Sequence, residues 1–328
     1  MNNWLALTEK QQFDLFSQIA SQTSLPAYAI EKDAWVTVVL RMLFQSDLNP
    51  HIVFKGGTSL SKAYGLIERF SEDIDLAIDK GYLGFSGDLT KGEIRKLRRK
   101  SHDFSSNELA QLLQKQLSNY GVKEDLYKIS VPNVKISDQD PEVIHIIYKS
   151  VFKEASYLQS KVLLEIGARS LLEPSESKNI KSLIDEAYPD AEFYEGDFKI
   201  STVIPEKTFL EKLILLHEEF QKPKKKIRYH RMSRHLYDIN QIINTEYGKR
   251  ALINTELFES ICNHREKFTP IKTVDYKTLT VKDLNFLPPK DFMDLYSTDY
   301  KEMQTNMIYG GSPTFDMLID NIKSHYSK

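Results

Sequence analysis

The stretch Lys55-Gly56-Gly57-Thr58-Ser59-Leu60, followed by Arg69-Phe70-Ser71-Glu72-Asp73-Ile74-Asp75-Leu76, decides how this chain folds. Just before it, the apolar run Ile52 to Phe54 stops at the glycine pair, which predicts a strand ending in a tight turn. Leu60, Ala63, Tyr64 and Ile67 then restore a helical period. Ile74, Leu76 and Ile78 alternate with Asp73, Asp75 and Ala77, the signature of a strand whose two faces differ. The predicted order is strand, Gly-Gly turn, helix, strand.

That order carries a chemistry. Strand alternation sends Asp73 and Asp75 out of one face with Cα atoms roughly 7 Å apart. Hard oxygen ligands of this kind suit Mg²⁺ or Mn²⁺. Two such ions, roughly 3.5–4 Å apart, activate an attacking hydroxyl and stabilise the leaving oxygen of an in-line phosphoryl displacement. Gly56 and Gly57 let backbone approach a bulky anion, and a helix starting at Thr58 or Ser59 aims free N–H groups at a triphosphate. Lys62, one turn on, adds a point charge. Each half has an ordinary reading, a plain loop for the glycines and a solvated strand face for the acids. Both within one strand-turn-helix-strand unit favour a nucleotide site.

Working outward, Phe13, Phe16, Ile19 and Ala20 mark one leading helix, and Ala34, Val38, Val39, Met42 and Leu43 a second. Residues 91–120 read as a charged helix start followed by an amphipathic helix through Leu109, Leu112, Leu113 and Leu117. Val143 to Val151 and Lys161 to Ile166 are β-rich runs joined around Ser156, which predicts a hairpin. A mixed α/β sheet domain therefore fills most of the first 200 residues. From Pro205 the pattern turns helical, with Phe209, Leu213 and Leu216 on one helix and Leu236, Ile239 and Ile243 on another. Ser312 and Pro313 are placed as N-cap and N1 of a terminal helix carrying Phe315, Leu318, Ile319 and Ile322. The expected fold class is α+β, a sheet domain over residues 1–203 followed by a helical domain over 204–328.

Bulk composition narrows the function classes. The 328 residues are 41% hydrophobic and 27% charged, values of an ordinary globular protein. Lys and Arg total 44 against 46 acids, so any attraction to nucleic acid comes from local patches. The single cysteine, Cys262, excludes a disulfide framework and a multi-thiolate zinc site, and reads as an inert apolar residue. The start lacks a basic n-region, and the apolar stretch from Ala34 to Phe44 is broken by Arg41. The expectation is a soluble, cytoplasmic protein with no membrane segment.

The pattern Gly-Gly-Thr/Ser, helix, Asp-x-Asp resembles the first motif of the DNA polymerase β-like nucleotidyltransferase superfamily. Phe54 to Leu76 resembles, more narrowly, the AbiEii/AbiGii-type toxin nucleotidyltransferases of abortive-infection and toxin–antitoxin systems. Glu31-Lys32-Asp33-Ala34-Trp35 is similar to that family's leading helix. Phe209-Leu210-Glu211-Lys212-Leu213 and Arg234-His235-Leu236-Tyr237-Asp238-Ile239 are similar to its later motifs, and Met307-Ile308-Tyr309-Gly310 through Phe315 to its ending. The resemblance implies that Asp73 and Asp75 bind metal, that Gly57, Thr58 and Ser59 contact the triphosphate, that Lys212 holds nucleotide phosphate and that Asp238 belongs to the active site. The implied fold is a polymerase β-like sheet domain with a helical C-terminal domain. The implied activity is Mg²⁺-dependent transfer of NMP from an NTP to an acceptor hydroxyl, with the tRNA 3′ end as acceptor. A cognate antitoxin, commonly a winged-helix regulator, is the implied protein partner.

Several residues can be read on their own. Lys212 has Phe209, Leu215 and Leu216 as helical neighbours, so it lies beside an apolar stripe, where a lysine either snorkels or reaches an anion. Asp238 either pairs with Arg234 four residues earlier or orients Lys212 or a substrate hydroxyl. Polymerase β-like sheets usually add a third carboxylate from a neighbouring strand, and Glu165 fits because it points away from Leu164 and Ile166. Arg169 is a weaker phosphate candidate. Two basic clusters, Lys91 to Lys100 and Lys222 to Arg234, either are solvated faces or grip a phosphate backbone, with Tyr229 and His230 able to stack on an unpaired base. Two other functions remain open from sequence: NMP transfer onto a protein side chain, and a non-catalytic nucleotide- or RNA-binding module.

Overall fold

Two leading helices open the chain in the computed structural model, which describes residues 3–71, 73–132, 140–152 and 159–326. Helix α1 (Glu9–Gln22) begins with a reciprocal cap between Thr8 and Gln11 and buries Leu15, Phe16 and Ile19. Helix α2 (Ala27–Phe44) is buried on nearly every side, and Trp35 stacks on Tyr148 with ring centroids 5.0 Å apart. Each of its buried charged side chains reaches at least one partner, although the Arg41 Nε has none. Glu31 accepts from Ser150 Oγ at 2.5 Å and Val151 N at 2.9 Å, Lys32 donates to the Gln159 carbonyl, and Arg41 donates to the Gly196 carbonyl at 2.6 Å. Arg41, which interrupts the apolar run, is thereby accommodated in the interior.

A seven-stranded mixed sheet follows. Its strands are β1 (Ile52–Lys55), β2 (Asp73–Ile78), β3 (Tyr127–Ser130), β4 (Glu142–Tyr148), β5 (Lys161–Gly167), β6 (Ser175–Ile180) and β7 (Phe198–Val203), in the spatial order β3-β4-β5-β2-β1-β7-β6. β1 pairs antiparallel with β2 and parallel with β7, while β2 runs parallel to β5. β4 and β5 form the expected antiparallel pair, with His145 opposite Leu163; Ser156, at the predicted connection, lies outside the described residues. Between strands come α3 (Gly56–Lys62), α4 (Lys91–Asp103), a π-helical turn (Phe104–Leu109), α5 (Ala110–Asn119) and α6 (Leu183–Ala187). Ile74, Leu76, Ile144, Ile146, Leu164 and Ile166 are buried on the sheet's apolar face, as their alternation predicts.

The second unit is helical: α7 (Pro205–Phe220), α8 (Ser233–Ile243), α9 (Glu246–Ile253), α10 (Thr255–Phe268), α11 (Met293–Asn306) and α12 (Phe315–Tyr326). Contacts assign Met1–Ala63 with Phe70–Thr202 to the first unit, and Tyr64–Arg69 with Val203–Lys328 to the second. The short excursion is tied into the helical unit by backbone: Tyr309 N and Gly310 N donate to the Glu68 carbonyl at 3.0 and 3.2 Å, and Arg69 bridges Ile308. A side chain at Gly310 would collide with Glu68, so this crossing admits only glycine without rearrangement.

Two helices have boundaries that differ from the sequence expectation, and the first of them starts at Gly56, with Lys55 as its N-cap, and not at Thr58 or Ser59. The helix after the glycine pair does not extend to Ile67; it ends at Lys62, and Gly65 adopts a left-handed φ of 60°. The apolar spacing of Leu60 to Ile67 reflects burial in an irregular segment. At the C-terminal helix, Ser312 and Pro313 precede the cap instead of forming it. Thr314 Oγ1 accepts from Met317 N at 3.3 Å, and Ser312 Oγ accepts from Gln304. No helix among the described residues is long and apolar enough to cross a membrane.

Candidate active site

The strand register brings the sequence-predicted acids onto one face of the sheet. Asp75 stands opposite Lys55 on β1 and beside Glu165 on β5, and Asp73 stands beside Leu163. Residues paired across adjacent strands project from the same face. Asp73, Asp75 and Glu165 therefore share it, together with Lys55, Leu163, Val143 and His145. These side chains are all half-buried, whereas Ile74, Leu164 and Ile166 of the opposite face are buried. Glu165 thus occupies the neighbouring-strand position expected of a third carboxylate.

Gly56 explains how the acids and the turn fit together. Its φ is +83°, and a Cβ there would overlap the Asp75 carboxylate. The position needs glycine twice over, for the backbone conformation and for the approach of Asp75. The following residues support the turn from within. Thr58, 2% exposed, sits with Oγ1 2.5 Å from the Asp73 carbonyl and 2.9 Å from Ser71 Oγ. Ser59, fully buried, donates from Oγ to the Gly56 carbonyl at 2.9 Å. The Thr58 hydroxyl thus ties α3 to β2, the Ser59 hydroxyl closes the first turn of α3 on itself, and the N–H groups of that turn have no partner within the helix. Lys62 is held by Asp33 of α2 at 2.5 Å, and Asp33 also accepts from Leu183 N. Arg169 donates to Asp140 at 2.7 Å, an ion pair between the residues that follow β5 and those that precede β4.

The donor set suits a hard divalent ion. Asp75 accepts no hydrogen bond from any described residue, and a carboxylate left open among other carboxylates is stabilised by a cation from outside. The three acids share a face without meeting at one point. Among the described residues the one group of three His, Cys, Asp or Glu side chains with ligand atoms within 4.8 Å of one another is His230, Asp299 and Glu302. There Asp299 is already engaged, accepting from Ser233 N at 2.9 Å and from Arg231 N and Ser233 Oγ at 2.5 Å.

The helical unit holds the other predicted residues in a buried cluster. Asp238 on α8 is fully buried, with Oδ1 2.7 Å from Arg69 Nε and Oδ2 2.8 Å from the Arg69 terminal nitrogen. Lys212 Nζ on α7 lies 2.9 Å from the same Oδ2. Burial alone would raise the Asp238 pKa, but the two cations outweigh it and hold the carboxyl well below the usual range. Burial lowers the Lys212 pKa and Arg69 lowers it further, against the pull of Asp238. His235, on the same helix, is also pushed well down by burial and by the Lys212 and Arg234 charges. The partner of Asp238 is therefore Lys212 together with Arg69, not Arg234. Arg69 received no role from sequence, although it stands inside the quoted motif four residues before Asp73.

The comparisons with known proteins can be set beside this geometry. The family model described as nucleotidyl transferase AbiEii toxin, type IV toxin–antitoxin system, matches residues 38–321. The chain belongs to the AbiEii toxin family. It is a nucleotidyltransferase and the toxin of a type IV toxin–antitoxin system, a family that uses NTP, typically with a divalent metal, and has a cognate antitoxin. Among solved structures it is similar to MenT4, a nucleotidyltransferase toxin from Mycobacterium tuberculosis, at 15% identity and a TM-score of 0.47, over 98% of this chain and 99% of that one. A comparison with curated proteins finds no match. The AbiEii match spans the glycine turn, Asp73, Asp75, Glu165, Lys212 and Asp238 alike.

Cys262 is buried, and burial pushes its thiol up to about 11, in keeping with an inert residue. The second basic run is partly balanced by acids distant in sequence: Glu219 accepts from Lys222 at 2.7 Å and pairs with Arg228, and Lys224 meets Asp291. Lys225, Lys226, His230 and Tyr229 remain exposed.

Proposed function

We propose that this toxin transfers NMP from an NTP to the 3′ hydroxyl of tRNA, using Mg²⁺ or Mn²⁺ held by Asp73, Asp75 and Glu165. The acceptor hydroxyl gives up its proton to solvent as its oxygen bonds to the α-phosphorus, the bond to the α–β bridging oxygen breaks, and pyrophosphate leaves. The observation that carries this reading is the shared sheet face of the three carboxylates, with Asp75 leaning over Gly56. When bound, a divalent ion supplies Lewis-acid charge and lowers the pKa of a coordinated hydroxyl. The chain's own part is positioning and charge placement, the usual content of phosphoryl transfer. The three acids hold the metal. Gly56, Gly57, Thr58 and Ser59 present backbone to the triphosphate, with Thr58 and Ser59 fixing that backbone through their buried hydroxyls.

Lys212 binds nucleotide phosphate in this account, and Asp238 orients it; the 2.9 Å pair between them supports that division of labour. Lys62 adds positive charge only by loosening from Asp33. The exposed Tyr229, Lys225, Lys226 and His230 support a nucleic-acid acceptor, since an aromatic ring among cations suits an unpaired base on a phosphate backbone. The protein acts in the cytoplasm, where tRNA is found, and a winged-helix antitoxin is its restraining partner.

The test is incubation with each of the four labelled NTPs in a mixture of total tRNA and protein, followed by sequencing of the RNA ends. Label is expected at RNA 3′ termini, and only with divalent metal present. Label in protein alone would replace the acceptor, and NTP binding undiminished in excess chelator would replace the enzyme with a binding module.

A further inference from the structure

Lys55 has no role in the account so far. It ends β1, stands opposite Asp75 in the antiparallel register, and immediately precedes Gly56. Directly opposed residues of an antiparallel pair have Cβ atoms roughly 4.5–5.5 Å apart, so an opposite-charge pair there ordinarily closes. This one does not. Among the described residues no carboxylate lies within 4.0 Å of the Lys55 ammonium. The Asp75 carboxylate leans toward Gly56 instead, into the space a Cβ would fill. Lys55 is half-buried at the edge of an apolar strand whose other residues, Ile52, Val53 and Phe54, are all buried. A cation kept on the carboxylate face, directly opposite Asp75 and within 4.0 Å of no described carboxylate, is placed to meet an anion arriving from outside.

We infer that Lys55 binds the phosphates of the incoming nucleoside triphosphate, a nucleotide-binding residue on the sheet itself. The inference rests on the metal-site reading above. Its physical logic is charge balance at the end of β1. The carboxylates alone repel a triphosphate, and a lysine on their own face, next to the glycine turn, offers a direct contact to phosphate oxygens. As a compact point charge, lysine follows phosphate through several orientations more readily than a forked guanidinium.

The experiment measures KM and kcat for NTP, and equilibrium binding of NTP in the presence of Ca²⁺, for wild type, Lys55→Gln, Lys55→Arg and Asp75→Ala. Lys55→Gln is expected to raise KM and the binding constant about tenfold, the scale of one lost charge-assisted hydrogen bond, with a much smaller change in kcat. Lys55→Arg is expected to restore most of the loss, and thermal midpoints are expected to stay together. An unchanged KM in Lys55→Gln, or equal losses in the Gln and Arg variants, overturns the inference. Activity retained in Asp75→Ala would instead remove the metal-site reading beneath it, so the two failures are distinguishable.

Discussion

Asp75 and Asp238 are the same residue type in opposite circumstances. Asp238 is fully buried and saturated, with Arg69 and Lys212 on its two oxygens. Asp75 is half-buried, shares its face with Asp73 and Glu165, and accepts no hydrogen bond from any described residue. The helical unit supplies counter-charge to Asp238 from within the chain, whereas Asp75 on the sheet has no described residue donating to it. A saturated acid stabilises the fold and fixes its partners; an open one is held ready for a ligand. The contrast teaches that the functional signal is the missing counter-charge, not the acid.

The comparison breaks most visibly through activity. Asp75→Ala is expected to reduce NMP incorporation about a thousandfold or more while leaving the thermal midpoint nearly unchanged, because no described residue donates a hydrogen bond to the Asp75 carboxylate. Incorporation assays and thermal melts read the two halves separately. Asp238→Ala should do the reverse in stability, exposing two buried cations to each other. Breaking a buried pair in this way costs about 3–5 kcal/mol, read as a fall in denaturant midpoint at constant slope. Gly56→Ala tests the approach of Asp75 to the turn. An alanine at φ +83° that also displaces a carboxylate should cost roughly 1–3 kcal/mol and lower activity with it, measured by the same two assays.

The smallest effect concerns acid stability. The folded pKa of Asp238 lies below its unfolded value of roughly 3.9, so the folded state binds this proton more weakly. Its contribution is therefore fully present above the unfolded value and is lost as pH falls toward the folded one. Urea titrations between pH 6 and pH 3 should show a shallower acid limb in Asp238→Asn than in wild type. Equal limbs would mean that Asp238 titrates normally.

Much of the sheet site was legible in the sequence because its signals are local. The alternation of Asp73 to Ile78 fixes which side chains share a face, and the glycine pair marks where the backbone must turn closely. Glu165 was readable from the same alternation once a neighbouring strand was expected. Less was legible where the fold depends on distant contacts. β6 (Ser-Glu-Ser-Lys-Asn-Ile) is polar, and its strand state comes from its place at the sheet edge. The helix boundary at Lys62 was hidden because burial of Ile67 in an irregular segment mimics helical spacing. Arg69 was missed for a different reason: nothing near it in sequence shows that Tyr64–Arg69 joins the helical unit, where Glu68 meets Tyr309 and Gly310. Lys55 was passed over because its significance lies in the cross-strand register with Asp75.

The most direct test of the open-acid account is calorimetric titration of Mn²⁺ into the protein without nucleotide, compared across wild type, Asp75→Ala and Asp238→Asn. Saturable binding in wild type, lost in Asp75→Ala and kept in any Asp238→Asn protein that remains folded, is the predicted result. Mn²⁺ binding that survives Asp75→Ala unchanged would contradict it.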